Sequence, residues 1–185
     1  MTPDECLGRI NLELIFPSFE ERLRHLLEAC SVVGADYVAT DGFRSEGGQA
    51  KLYFQGRTEA GKKVTNAPPW FSAHNYGLAV DFCRMLEHGD EHVVSWEPQD
   101  YETLGEQAEH LGLIWGGRFH SPDRPHVEWP GYVSGEQLIR LKPIFRSAQK
   151  GAGYTNGLLA VWSHVFSNAD TNPDIKAPFN PKAKV

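Results

Sequence analysis

The run Ser72-Ala73-His74-Asn75-Tyr76-Gly77-Leu78-Ala79-Val80-Asp81 holds a histidine, a glycine able to turn the chain, and an aspartate inside an apolar stretch. Asp81 lies between Val80 and Phe82. A carboxylate in such a strand must be paired, hydrogen-bonded or bound to a metal. Histidine and aspartate both ligate zinc, and a turn at Gly77 can fold His74 back over the strand. The plainer alternative for Asp81 is a structural carboxylate that caps a loop amide. A second run, Asp123-Arg124-Pro125-His126-Val127-Glu128-Trp129, puts His126 and Glu128 on one face of a strand and Val127 on the other. Alone, that pattern also suits a polar surface face. Joined to the first run, it completes two histidines and one aspartate and leaves a fourth zinc position open. Hydrolysis at such a centre needs a carboxylate to accept a proton, and Asp123 and Glu128 both qualify on spacing.

Other constellations compete less well. His88-Gly89-Asp90-Glu91-His92 matches the inverted zincin motif H-x-x-E-H, which works only on a helix. Gly89-Asp90 between two strand-like runs reads instead as a hairpin turn. His120 is a candidate for lining a cleft or a solvated loop histidine, and His25, His110 and His164 fall in helical segments. Cys83 shares a strand face with Asp81 and reads as a small buried hydrophobe. Ser72 lacks a G-x-S-x-G elbow, and Gly151-Ala152-Gly153 lacks the rest of a dinucleotide fingerprint. Trp70, Phe71 and Tyr76 surround His74 in sequence, either as a substrate wall or as loop packing.

The elements that must position these residues are partly legible. Ser18-Phe19-Glu20-Glu21 reads as a capping box for a helix carrying Leu23, Leu26, Leu27 and Cys30, with Gly34 as its stop. A strand over Tyr37–Thr40 runs into Asp41-Gly42-Phe43-Arg44, and Ser45 caps a helix to about Gln55. Residues 56–71 read as a long loop, of a length that is often functional. Strands are expected over Leu78–Met85 and His92–Trp96, a helix from Pro98 to about Leu111, and short strands at Ile114–Trp115 and His126–Trp129. Ser134 opens a helix that Pro143 must interrupt, residues 156–166 form a last apolar helix, and an extended tail starts at Asn168. Helices followed by strands, helices and a hairpin indicate an α+β fold.

Composition bounds the remainder. The 185 residues suit one domain with a real core. A formal charge of -6 argues against a generic nucleic-acid binder. No apolar run approaches the roughly 18 residues of a membrane span, and MTPDECLGR has no signal-peptide character. Three cysteines without C-x-x-C spacing make neither a disulfide framework nor a thiolate zinc site.

Together the two runs resemble the LAS metallopeptidases, named for lysostaphin, D-alanyl-D-alanine carboxypeptidase and sonic hedgehog. Within that group the chain is similar to the branch of L-alanyl-D-glutamate peptidases that includes many phage endolysins. The pattern S-x-H-x-x-G-x-A-x-D is met at Ser72, His74, Gly77, Ala79 and Asp81, and D-x-x-H at Asp123 and His126. The surroundings agree at Asp41-Gly42-Phe43-Arg44-Ser45, Leu52–Thr58, Val64-Thr65-Asn66-Ala67 and Trp115-Gly116-Gly117, so the similarity spans about residues 15–130. The resemblance implies a hedgehog/D,D-peptidase-like antiparallel sheet flanked by helices. It implies one zinc ion per chain held by His74, Asp81 and His126, with Asp123 as catalytic base and Arg44 facing the substrate carbonyl or carboxylate. Ser72, Glu128, Tyr76 and His120 are then candidates for supporting the ligands or binding substrate. Relatives commonly carry Asp where this chain has Arg118 after Trp115-Gly116-Gly117.

The expected substrate is the peptidoglycan stem peptide, cut at the L-alanyl-D-glutamate bond. The alternatives are a D,D-carboxypeptidase releasing terminal D-alanine and a non-catalytic wall-binding module of the same fold. Residues 1–150 are expected to form the catalytic domain, with 151–185 as a C-terminal helix and tail packed on it. The expected protein is a monomer that binds no nucleic acid and enters no membrane. It is made in a host cytoplasm without a signal peptide and reaches the wall through a membrane pore.

Overall fold

The computed structural model describes residues 1–88, 91–132, 134–151 and 153–169. From the N-terminus the chain forms α1 (Pro3–Leu7), α2 (Pro17–Val32), β1 (Asp36–Asp41), α3 (Glu46–Phe54), β2 (Ala79–His88) and β3 (Glu91–Ser95). There follow α4 (Glu102–His110), β4 (Ile114–Trp115), β5 (His126–Glu128), α5 (Gly135–Leu138), α6 (Lys142–Ala148) and α7 (Thr155–Ala169). All strand pairings are antiparallel, in the order β1-β2-β5-β4 with β3 also on β2. β2 is the spine: β1 runs along one edge, while β5 and β3 share the other, at Ala79–Asp81 and Arg84–His88 respectively. The result is the α+β arrangement expected, an antiparallel sheet with helices packed on it.

Several boundaries differ from expectation, each for a local reason. α2 starts at Pro17 behind Phe16, with no side-chain cap, so Ser18 and Glu21 lie inside the helix. The fixed φ of proline at the first helical position starts the helix ahead of the capping box. Pro98 opens a 3-10 turn, Pro98–Tyr101, and the α-helix follows it. The short N-terminal α1, closed by a Thr2/Glu5 capping box, was not anticipated. Asn168 still belongs to α7; the rest of the expected tail, residues 170–185, lies outside the described residues. The hairpin turn at Gly89-Asp90 also lies outside them. The flanking strands pair Glu87 with His92 and His88 with Glu91, so His88 and His92 belong to a strand pair and not to one helix face.

The core joins α2, the sheet and α7 in one buried cluster that includes Phe19, Leu23, Phe82, Trp115, Leu158 and Val161. Fully burying aliphatic and aromatic side chains of this kind contributes about 1.5–3 kcal/mol each. α6 packs on α7, and Phe145 of α6 meets Trp70 with ring centroids 5.0 Å apart. α7 is tied to the middle of the chain by Trp162, whose indole N–H donates to the Tyr76 carbonyl at 2.8 Å. No helix among the described residues is long and apolar enough to cross a membrane.

Candidate metal centre and its cleft

Strand register places two of the three candidate ligands. Asp81 in β2 pairs directly with His126 in β5. Along β2, Val80 and Phe82 are buried in the core while Asp81 faces the cleft; in β5, Val127, the partner of Val80, is buried between His126 and Glu128. The third, His74, comes from the 3-10 turn Ala73–Tyr76 just ahead of β2. That turn closes at Gly77 with φ 66°, and a Cβ there would lie 2.1 Å from the Leu14 carbonyl oxygen. Only glycine fits a left-handed residue pressed against another backbone segment.

The three side chains converge. His74 Nε2 and His126 Nδ1 are 3.3 Å apart, His74 Nε2 lies 3.3 Å from Asp81 Oδ1, and His126 Nδ1 lies 3.0 Å from the same oxygen. A tetrahedral zinc ion with bonds of about 2.0–2.1 Å spaces its ligand atoms about 3.3 Å apart, so the triangle fits that ion. The far side of each ring is also fixed. His74 Nδ1 donates to the Gly42 carbonyl at 2.7 Å, because a carbonyl can only accept, and this leaves Nε2 with its lone pair toward the centre. His126 Nε2 lies 3.0 Å from Glu128 Oε2, which holds a proton there and frees Nδ1.

Electrostatics agree with a cationic occupant. Burial alone raises the Asp81 carboxyl, but the charges and hydrogen bonds of His74 and His126 outweigh it and hold it well below the usual aspartate range. Burial alone lowers the His126 ring, yet the hydrogen bonds to Asp81 and Glu128 overcome it and raise it to about 10. Asp81 and Glu128 thus favour positive charge on the ring between them.

Arg44 is held by three neighbouring side chains. Its Nε and one terminal nitrogen donate to Asp41 Oδ2, and the other terminal nitrogen donates to Gln49 Oε1 at 2.8 Å. The nitrogen that reaches Asp41 also lies 3.5 Å from Asp81 Oδ2. A register shift between Ala39 and Asp41 brings Asp41 opposite Asp81 across the β1–β2 pair. Two carboxylates facing one another repel, and the guanidinium between them removes the conflict. Gln49, fully buried, also donates to the Ala67 carbonyl at 2.8 Å and so joins Arg44 to the long loop.

These groups lie along a cleft of about 630 Å³, with Phe71, Thr65, Asn66, Tyr132 and Leu138 among its walls. Ser72, Asp123 and Glu128 line it as well. Asp123 is exposed, and its side chain has no hydrogen-bond partner among the described residues. Although the residue is open on its solvent side, the cleft walls crowd its carboxyl, which is raised above the usual aspartate value chiefly by that partial loss of solvation and further by the Asp81 charge, against the lowering pull of His126, His74 and Arg44. The loop that carries it is clamped by Asp123 N–H donating to Gly116 O at 2.9 Å. Gly116 must be glycine for this approach, since a Cβ would stand 2.4 Å from Asp123 O and 2.9 Å from His126 Cβ.

Two sequence candidates fall outside the cleft. Tyr76 is fully buried, its hydroxyl donating to the Trp70 carbonyl at 3.1 Å, so it packs the loop. His120 is exposed and does not line the cleft, because its loop turns it to solvent. Arg118 also points away: it holds Glu109 through two N–H groups at 2.9 and 3.2 Å and lies over the Trp115 ring. Residues that sequence reasoning missed are Asp41, Gln49 and the Gly42 carbonyl. Asp41 and Gly42 stood in the quoted Asp41–Ser45 run, but nothing in their spacing showed what they would touch.

A family model described as D-alanyl-D-alanine carboxypeptidase matches residues 65–129. The peptidoglycan L-alanyl-D-glutamate endopeptidase CwlK of Bacillus subtilis (strain 168) is 36% identical over 124 residues, covering 62% of this chain and 72% of that protein. Among solved structures, the chain is similar to the Serratia marcescens L-Ala D-Glu endopeptidase ChiX, with a TM-score of 0.47 and 24% identity over 68% of this chain and 90% of that one. It is also similar to the vancomycin-resistance D,D-pentapeptidase VanY from a VanB-type cassette, solved with Zn(II), with a TM-score of 0.47 and 19% identity over 68% of this chain and 78% of that one.

Proposed function

The chain belongs to the M15 peptidase family, and from that premise we propose that it is a zinc-dependent endopeptidase cutting the L-alanyl-D-glutamate bond of peptidoglycan stem peptides. The observation that carries the metal reading is the His74–Asp81–His126 triangle, closed behind by Gly42 O and Glu128. The bond assignment follows CwlK, the relative at 36% identity. His74, Asp81 and His126 would hold one zinc per chain, which would supply Lewis acidity at the scissile carbonyl.

The remaining chemistry belongs to the chain. Asp123 accepts a proton from the water that adds to the carbonyl carbon, then passes it to the nitrogen as the C–N bond breaks. An unbonded, solvent-facing carboxyl with a raised affinity for protons suits that exchange. Arg44 commits four of its five N–H groups to Asp41, Gln49 and Asp81 and keeps one for the substrate oxygen. Glu128 keeps His126 in the tautomer that can ligate. Service as an endolysin, with a monomeric enzyme reaching the wall through a membrane pore, belongs to the same proposal and rests on the sequence resemblance.

Mass spectrometry of purified peptidoglycan after digestion tests the reading. The expected products carry a new D-glutamyl amine, their release stops with a zinc chelator, and it returns when zinc is restored. Release of free D-alanine instead assigns the D,D-carboxypeptidase activity that describes the family model. Cleavage that persists without metal overturns the zinc assignment.

A further inference from the structure

The metal and Arg44 can balance the carboxylates of the cleft, but they leave little positive charge for an anionic group on the substrate. Asp81, Asp123 and Glu128 all line it, and the chain carries a net charge of -6. In a stem peptide the D-glutamyl residue continues through its side-chain carboxyl. The carbon bonded to the scissile nitrogen therefore bears a free carboxylate, or a carboxamide where the wall is amidated. An anionic group must enter beside the catalytic carboxylate. Arg44 is held almost entirely by Asp41, Asp81 and Gln49. Lys63 is different: it lines the cleft, is exposed, and has no ion-pair or hydrogen-bond partner among the described residues.

The strap bearing Lys63 is anchored just beyond it, at Thr65 and Ala67. Arg57 donates to the Thr65 carbonyl at 2.8 Å, Gln49 to the Ala67 carbonyl at 2.8 Å, and the Ala67 N–H to Thr65 Oγ1 at 3.2 Å. Gln49 also holds Arg44, so the strap and the metal side of the cleft share one buried anchor. Lys62, one residue earlier, is exposed and does not line the cleft.

We propose that Lys63 is a specificity residue of this cleft, its ammonium receiving the α-carboxylate of the D-glutamyl residue on the leaving side of the scissile bond. This rests on the stem-peptide endopeptidase reading. A charge-assisted hydrogen bond in a partly enclosed cleft is worth about tenfold or more in kcat/KM between acid and amide.

The test compares two N-acetylated synthetic stem peptides that differ only in bearing D-glutamate or D-isoglutamine after L-alanine. The wild-type enzyme is expected to prefer the acid by about tenfold or more. Lys63→Met should bring the ratio near one, Lys63→Arg should keep most of it, and Lys62→Met should leave it as in wild type. Equal zinc content in all variants shows that the fold and the metal centre are intact. A wild-type ratio near one, or a full ratio in Lys63→Met, overturns the assignment while leaving the endopeptidase reading standing. If the wild-type enzyme cuts neither peptide, the endopeptidase reading fails and the proposal with it.

Discussion

Glu128 is buried with its Oε2 3.0 Å from a ring nitrogen of His126, whereas Asp123 stands open to the cleft. This contrast gives two carboxylates five residues apart different work. Glu128→Ala leaves the His126 ring free to turn and to change tautomer, so zinc affinity should fall about 10–100-fold and excess zinc should recover part of the activity. Asp123→Ala should retain zinc and lose at least about a hundredfold in turnover. Metal titration and steady-state rates on the two variants separate the roles, and the reverse pattern would falsify the assignment of the base. Arg44 calls for a mixed outcome, because its nitrogen touches the second oxygen of Asp81 as well as facing the cleft. Arg44→Ala should lower turnover by about a hundredfold or more, the scale of one lost oxyanion donor. It should also weaken zinc retention, since Asp41 and Asp81 are left facing each other without a cation. Undiminished zinc affinity in that variant restricts Arg44 to the substrate.

At the scale of elements, the site depends on backbone segments brought close enough to exclude a side chain. The turn after β4 presses Gly116 against Asp123 O and His126 Cβ. Gly116→Ala should therefore displace the base and a ligand together, at a stability cost of about 1–3 kcal/mol for an overpacked contact. Thermal unfolding and zinc content should both report it, and a variant with wild-type values in each shows that the loop yields freely. The same dependence explains what the sequence disclosed. Asp81 was legible because a carboxylate in an apolar strand demands a partner, His74 and His126 because they stand in motifs that resemble a known family's, and Ser45 because a cap sits at a fixed offset from the N–H it accepts, here that of Gly48. The pairing of Asp41 with Arg44 was hidden, since it follows from a register shift that brings Asp41 opposite Asp81. Gly42's part was hidden because a carbonyl leaves no trace in residue type. Tyr76 was left open between substrate wall and loop packing because an aromatic beside a ligand reads alike whether it faces substrate or core, and it packs the loop.

Across the whole molecule, the metal turn and α7 are one mechanical unit although they lie far apart in sequence. Trp162 packs beside Phe16, its ring centroid 6.2 Å away, and donates to the carbonyl of Tyr76, two residues after His74. Phe16 in turn donates its N–H to Gly77 O at 2.9 Å, and Phe16 and Trp129 meet edge to face with centroids 5.0 Å apart. The turn that presents His74 is thus clamped from the N-terminal side by Phe16 and from the C-terminal side by Trp162. Trp162→Ala opens a cavity and leaves the Tyr76 carbonyl without that donor, a loss of about 3–5 kcal/mol for a large aromatic. Against total stabilities of about 5–15 kcal/mol, that cost is large enough to unfold a metal-free protein near room temperature. A zinc ion held by His74, Asp81 and His126 would bind only the folded state and so restore stability by mass action. Trp162→Ala should therefore show a strongly lowered Tm with chelator present and a partial recovery as zinc is added, with a weaker zinc affinity than wild type. Trp162→Phe keeps most of the packing and loses the hydrogen bond, so its penalty should be nearer 1–2 kcal/mol, about the size of one buried bond. If Trp162→Ala loses stability but binds zinc as tightly as wild type, α7 supports the core alone and the His74 turn holds its shape without it.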